Sequence, residues 1–268
     1  MTTLDERYEE GQAMRAELAA GDLSHFTLPG TDQLAPDLTR IIDEALLGSI
    51  WTRPGLDLKK RCICTVSALM ALGQLPLLRR DIERCLNVGL NPEQVVEVFI
   101  QMTFYVGFPA VEAALSITKE IFEERGIQFT PTQVYDTKRT VGELYNIGVQ
   151  SRHEHMGDIA ALDVDNEALD SLEIAQRHLI DEYHWGAIYT RPHLDATSRA
   201  TCALSAMAVL GRYDRQIRIR IEGAIRVGVT PSEILEIFNH LMLYGGFYIT
   251  RTANRIARSV FTEQGLSV

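Results

Sequence analysis

"IWTRPGLDLKKRCICTVSALMALG" at residues 50–73 and "IYTRPHLDATSRATCALSAMAVLG" at residues 188–211 are one segment written twice. They align without a gap, and 12 of 24 positions are identical. One inserted residue then moves the offset from 138 to 139, and residues 87–126 match residues 226–265 at 13 of 40 positions. Inside that second block "EVFIQMTFYVGFP" at 97–109 stands against "EIFNHLMLYGGFY" at 236–248. Upstream the likeness weakens, although Tyr8-x-x-Gly11 still faces Tyr145-x-x-Gly148. The period is far longer than the roughly 20–50 residues of a solenoid repeat. The chain therefore reads as two copies of one domain-sized unit, 1–130 and 131–268, packed as an internal pseudo-dimer. Gly and Pro interrupt the pattern at 126–136, the expected linker.

Each copy reads as helical throughout. Thr230-Pro-Ser-Glu233 has the form of a capping box with proline at the first helical position, and Asn91-Pro-Glu-Gln94 repeats it. Val95, Val98, Phe99, Met102 and Val106 follow at spacings of three and four, the stripe of a helix face. "RCICTVSALMALG" is apolar nearly all round, which predicts a central, buried helix. Gly73 and Gly211 suit a left-handed stop after it. No stretch alternates with a period of two, so the fold class is all-α.

Composition excludes several classes. Twenty-six basic against thirty-six acidic residues give a net charge of -10, with no Lys/Arg-rich run, which argues against a nucleic-acid partner. No apolar run approaches the roughly 18–20 residues that span a bilayer. The start, "MTTLDERYEE", is polar and acidic, unlike a signal peptide, so the expected location is the cytoplasm. There the four cysteines, Cys62, Cys64, Cys85 and Cys202, are expected as free thiols, and Cys62 and Cys64 fall on different faces of one helix. His153 and His155 are two apart, too few residues for both to chelate one ion from a helix, so no metal site is expected.

The segments "IWTRPGLD", "NVGLNPEQVVEVF" and "YVGFPA", with "IYTRPHLD", "RVGVTPSEILEIF" and "YGGFY" in the second copy, resemble the carboxymuconolactone decarboxylase family, whose fold includes the alkylhydroperoxidase D-like proteins. The resemblance covers most of both halves. It implies an all-α unit that works as a pair, assembly into homo-oligomers (here a trimer of two-copy chains), a small-molecule substrate and no cofactor. The peroxidase branch carries a Cys-x-x-Cys pair and a His four residues later. Those positions are Gln74, Leu77 and Asp81 in the first copy, and Arg220 holds the His position in the second. Two-thiol redox chemistry is therefore not expected. The decarboxylases commonly carry the same His, and both copies lack it.

Decarboxylation as the resemblance implies it sets three requirements. A cation must hold the anion that stays, donors must meet the developing charge, and a general acid must deliver a proton. Copy two supplies Arg191 and Arg199 as cations, His240 and Tyr244 as donors, and His193 as a second acid, with Tyr189, Glu236, Trp51 and Arg61 as pocket residues. Six of seven histidines lie in copy two, and His240 faces Gln101, which cannot act as a general acid near pH 7. His240 also stands in an apolar run, where a buried, satisfied histidine reads equally well. Arg53 and Arg191 each have an Asp four residues on, which offers a local ion pair, Arg53–Asp57 or Arg191–Asp195. Arg61 and Arg199 open the buried helix against its dipole and call for a partner anion. Glu97 and Glu236 are either acid–base groups or such partners. The expected activity is that of a cofactor-free lyase on a small carboxylated or lactone-like substrate. The alternatives are a non-catalytic binding paralogue, or a biosynthetic enzyme running another proton transfer in the same pocket.

Overall fold

The computed structural model describes residues 2–23, 29–157, 170–211 and 214–268. Among these residues every regular element is a helix. The first copy holds α1 (Leu4–Leu18), α2 (Pro29–Leu34), α3 (Pro36–Ile42), α4 (Leu58–Ala71), α5 (Leu75–Asn87), α6 (Pro92–Val106) and α7 (Phe108–Glu124). The second holds α8 (Val141–Met156), α9 (Ser171–Leu179), α10 (Ala196–Leu210), α11 (Asp214–Arg226), α12 (Pro231–His240), α13 (Met242–Gly245) and α14 (Phe247–Glu263). The order repeats, so the chain is an all-α tandem duplication. One helix differs: α6 is continuous, whereas its counterpart stops after His240 at Leu241 and resumes as α13.

Local sequence explains the starts of the buried helices. Asn91 and Thr230 cap α6 and α12 in reciprocal boxes with Gln94 and Glu233. Asp57 accepts from the Lys60 amide at 2.8 Å and Asp195 from the Ser198 amide at 2.9 Å, which caps α4 and α10. A cap of this kind contributes about 1 kcal/mol. The two aspartates are thereby committed to backbone amides. The local pairs Arg53–Asp57 and Arg191–Asp195 do not form, and each arginine turns to a carboxylate of the other copy instead.

The halves meet along α4 and α10. All residues from Arg61 to Met70 of α4 are buried. Cys64 and Ala68 of α4 belong to the second copy's core, while Cys202 and Ala206 of α10 belong to the first copy's. The exchange means neither core is complete alone. All four cysteines are free and buried. No helix among the described residues is long and apolar enough to cross a membrane.

Ahead of each central helix the chain makes a widened, π-helical segment, Asp43–Trp51 and Ile180–Ile188. The Tyr189 amide donates to the carbonyl of His184, five residues back, at 3.0 Å. Such segments are rare and change which side chains face inward. Helices α1 and α8 lie against them backbone to backbone. A Cβ on Gly11 would sit 2.1 Å from the Asp43 carbonyl oxygen, and one on Gly148 would sit 1.7 Å from that of Asp181. The first segment ends at Trp51 and the second just before Tyr189; both aromatics are buried and line the two inter-copy sites.

Candidate functional site

Two pseudo-equivalent sites lie between the copies, and each takes residues from both. In the first, Arg61 is fully buried. Its Nη2 donates to the Arg53 carbonyl at 2.7 Å and to Glu236 at 3.3 Å, and its Nε donates to the Leu56 carbonyl at 3.1 Å. Arg53 Nε donates to both Glu236 oxygens, at 2.8 and 2.9 Å. Burial pushes the Glu236 carboxyl up, but the hydrogen bonds and charges of Arg53 and Arg61 outweigh it and hold the group below its ordinary value.

His240 lies 3.4 Å from Arg61 Nη1 through Nδ1 and 2.8 Å from Thr65 Oγ1 through Nε2. A guanidinium only donates, so Nδ1 is the acceptor and Nε2 carries the hydrogen. Thr65 Oγ1 then donates to the Arg61 carbonyl at 3.0 Å. Burial, then the charge of Arg61, lowers the His240 pKa well below 6.5, so the ring is neutral near pH 7. Both nitrogens of His240 are thus engaged inside the protein. Trp51 packs edge-on to it, with centroids 4.8 Å apart, and donates from Nε1 to the Tyr244 hydroxyl at 3.2 Å. Asp81 holds the family's histidine position, and Arg84 pairs with it at 2.6 Å, with both side chains buried. This site thus contains a buried ion pair of its own.

The second site repeats the frame and changes the contents. Arg191 Nε donates to Glu97 at 2.9 and 3.0 Å, and Arg199 donates to the Arg191 carbonyl at 2.8 Å. Arg199 Nη1 also donates to Gln101 Oε1 at 2.7 Å. Gln101 stands where the first site has His240, and its buried amide nitrogen has no partner. Position 203 is alanine where 65 is threonine, so the hydroxyl that would meet it is missing. Tyr189 replaces Trp51. Its hydroxyl accepts from Arg220 Nη1 at 3.2 Å and lies 3.1 Å from the Tyr105 hydroxyl. His184 packs against Tyr105, Trp185 and Tyr189 with centroids 5.4, 5.1 and 4.9 Å away. Burial, then Arg220 and Arg199, depresses the His184 pKa well below 6.5. Burial above all raises that of Tyr105 well above 10.

A cavity of about 320 Å³ opens here, lined by Phe104 and Tyr105 of the first copy and by Arg152, Met156, Arg177, Asp181, Trp185, Met207, Ile219 and Arg220 of the second. Arg152 is held by Asp181 at 2.7 Å, a pair mirrored by Arg15 and Asp43 in the first copy and hence part of the shared frame. Arg177 and Arg220 are not shared. At offsets of 138 and 139 their counterparts are Thr39 and Asp81. Gly223 takes the place of Arg84, so no side chain from that position enters the cavity.

The residues expected to form one site in copy two are divided between two. His240, Tyr244, Glu236, Trp51 and Arg61 gather at the first, and Arg199, Arg191 and Tyr189 at the second. His193 is exposed on the loop that follows Arg191, with a left-handed φ of 75°. Glu97 and Glu236 are the partner anions that Arg199 and Arg61 called for. The sequence reading passed over His184, Trp185, Arg177 and the positive role of Arg220. His155 packs on Tyr189, with its Nδ1 2.8 Å from the Ser151 carbonyl. Among the described residues no three His, Cys, Asp or Glu side chains converge as metal ligands would.

The sequence pattern of the carboxymuconolactone decarboxylase family matches residues 36–120 and 177–259. The 4-carboxymuconolactone decarboxylase of Acinetobacter baylyi is 29% identical over 123 residues, 46% of this chain and 92% of that protein. An uncharacterized 15.0 kDa protein of Paracoccus denitrificans is 31% identical over 104 residues, 38% of this chain and 78% of its own. The nitrosuccinic acid decarboxylase of Metarhizium robertsii is 23% identical over 119 residues, 44% of this chain and 82% of its own. Each relative therefore has about the length of one copy.

Proposed function

The chain belongs to the carboxymuconolactone decarboxylase family, and we propose that it is a cofactor-free carboxy-lyase that removes carbon dioxide from a small carboxylate seated in the cavity at Arg220. The observation that carries this reading is the contrast between the sites. One holds the buried Asp81–Arg84 pair among its own residues. The other is open, with the unshared cations Arg177 and Arg220 on its wall. Decarboxylation leaves an electron pair on carbon, which must be drawn into an adjacent carbonyl or nitro group. A guanidinium beside that group is worth more in the transition state than in the ground state, which is what accelerates the step. The apolar wall of Trp185, Met207 and Ile219 suits the carboxylate that departs as neutral carbon dioxide.

Two relatives named as decarboxylases, acting on 4-carboxymuconolactone and on nitrosuccinic acid, support the reaction type and supply the first substrates to try. The test is carbon dioxide release from each acid by the wild type and by Arg220→Gln. Losing one such donor is expected to lower kcat about 10²–10³-fold. Asp81→Asn, in the first site, should leave kcat within a few-fold. No release from either acid, or equal losses in both variants, would overturn the reading.

A further inference from the structure

We propose that Tyr105 delivers the proton that replaces carbon dioxide, and that His184 and Tyr189 position its hydroxyl for that delivery. This rests on the decarboxylase reading of the Arg220 cavity and assigns its acid. The argument begins with who can donate. Arg220 has only donors, so the Tyr189 oxygen accepts from it at 3.2 Å. The Tyr189 hydrogen is then free for the Tyr105 oxygen, 3.1 Å away. His184 Nε2 reaches the same oxygen at 3.5 Å, the outer limit of a hydrogen bond. Its other nitrogen, Nδ1, is buried without a partner. An unmet buried N–H is rarer and costlier than an unmet lone pair, which places the imidazole hydrogen on Nε2, facing Tyr105. Two donors thus occupy the lone pairs of the Tyr105 oxygen, and its own hydrogen is left for the cavity, whose wall it forms.

The other site shows how specific this arrangement is. Tyr244 is the counterpart of Tyr105, and its hydroxyl meets the indole N–H of Trp51, which cannot relay a hydrogen bond from an arginine. Position 46 is leucine where 184 is histidine, and position 81 is aspartate where 220 is arginine. All the groups that orient Tyr105 are therefore unshared, although the tyrosine itself is shared.

The step balances without a further reactant. The bond between the substrate carbon and its carboxylate breaks, carbon dioxide leaves, and the electron pair stays on the substrate. The Tyr105 O–H bond breaks as its proton joins that carbon. The phenolate, steadied by Arg220 5.4 Å from the ring centroid, takes a proton from water in the open cavity.

The test uses the full chain, with 4-carboxymuconolactone and nitrosuccinate as substrates and unreactive succinate as a binding probe. Tyr105→Phe should lower kcat about 10²–10⁴-fold with KM nearly unchanged. His184→Leu, which copies the other site, should lower kcat about 10–100-fold at unchanged KM, and His184→Gln, which restores a donor, should recover most of it. Melting curves check that each variant folds. If Tyr105→Phe does not fold, Tyr189→Phe reads the same hydrogen-bond chain. An active wild type with an equally active Tyr105→Phe overturns the proton donor and leaves the decarboxylase reading standing. A His184→Leu defect in KM alone, or one that Gln does not relieve, overturns the positioning role. A wild type that releases no carbon dioxide from either acid, whether or not succinate binds, sinks both.

Discussion

Arg53 and Glu236 are 183 residues apart in sequence, yet Arg53 Nε donates to both oxygens of the Glu236 carboxylate, at 2.8 and 2.9 Å. Arg191 and Glu97 repeat the bond in the opposite sense. The duplication is thus held by two crossed pairs, each arginine on a loop before a central helix and each glutamate in the other copy. Glu236→Gln leaves the fully buried Arg61 without its anion. Breaking a buried pair costs about 3–5 kcal/mol. Arg53→Gln, at a half-exposed side chain, should cost about 1 kcal/mol or less. Urea unfolding of the two variants checks the order, and an Arg53 change as costly as the Glu236 change would refute it.

Asp81 and Arg84 are both buried and 2.6 Å apart. Arg84→Ala leaves the buried Asp81 carboxylate with only the longer contact to Arg80, at 3.5 Å, and should destabilise by about 1–3 kcal/mol. Adding Asp81→Ala should return part of that, a coupling of about 1–3 kcal/mol in a double-mutant cycle. Additive losses would mean that Arg84 matters for its other contacts and not for this one.

Two histidines make stability depend on pH. His184 and His240 are held neutral in the fold, with pKa values well below 6.5, by burial and by facing arginines: Arg220 and Arg199 for the first, Arg61 and Arg84 for the second. The sign follows from the unfolded chain. Below pH 6.5 it binds protons that the folded chain refuses, so the unfolding free energy falls as pH drops. Between pH 7 and 5.5 each histidine should cost about 1 kcal/mol. His240→Gln should flatten the profile by that share. A variant whose stability falls as steeply as the wild type's would show that His240 is charged in the fold.

Phe104 and Phe108 are exposed in the first copy, and Leu243 and Phe247 are exposed at the equivalent positions of the second. Covering these side chains would favour association. We propose association of whole chains, with a trimer expected. Light scattering after gel filtration measures it, and a monomer mass at micromolar concentration would refute it.

Much of this was legible beforehand. The 12 identities over residues 50–73 and 188–211 gave the duplication, and the capping residues gave the helix starts. The missing anions of Arg61 and Arg199 were legible as well, because a cation at a helix start opposes the dipole. Three features were not. A π-helical turn adds one residue and leaves the hydrophobic pattern almost unchanged, so the widened segments ahead of Trp51 and Tyr189 were hidden, although both aromatics were expected at the pocket. Asp57 and Asp195 looked like salt-bridge partners by spacing, but a helix start claims the nearest carboxylate for its own amides. The contributions of both copies to each site followed from the docking of α4 on α10, which no local pattern encodes, so residues of the second copy were grouped that the fold keeps apart.

The crossed pairs also bear on how the chain is made. The first copy leaves the ribosome with Arg53, Arg61 and Glu97 all lacking their counter-charges, which lie in a stretch not yet synthesised. At 5–20 residues per second the 106 residues from 130 to Glu236 take roughly 5–20 s. Through that interval the nascent half cannot close its centre without burying an uncompensated cation. Its last folding step is therefore timed by translation of the second half.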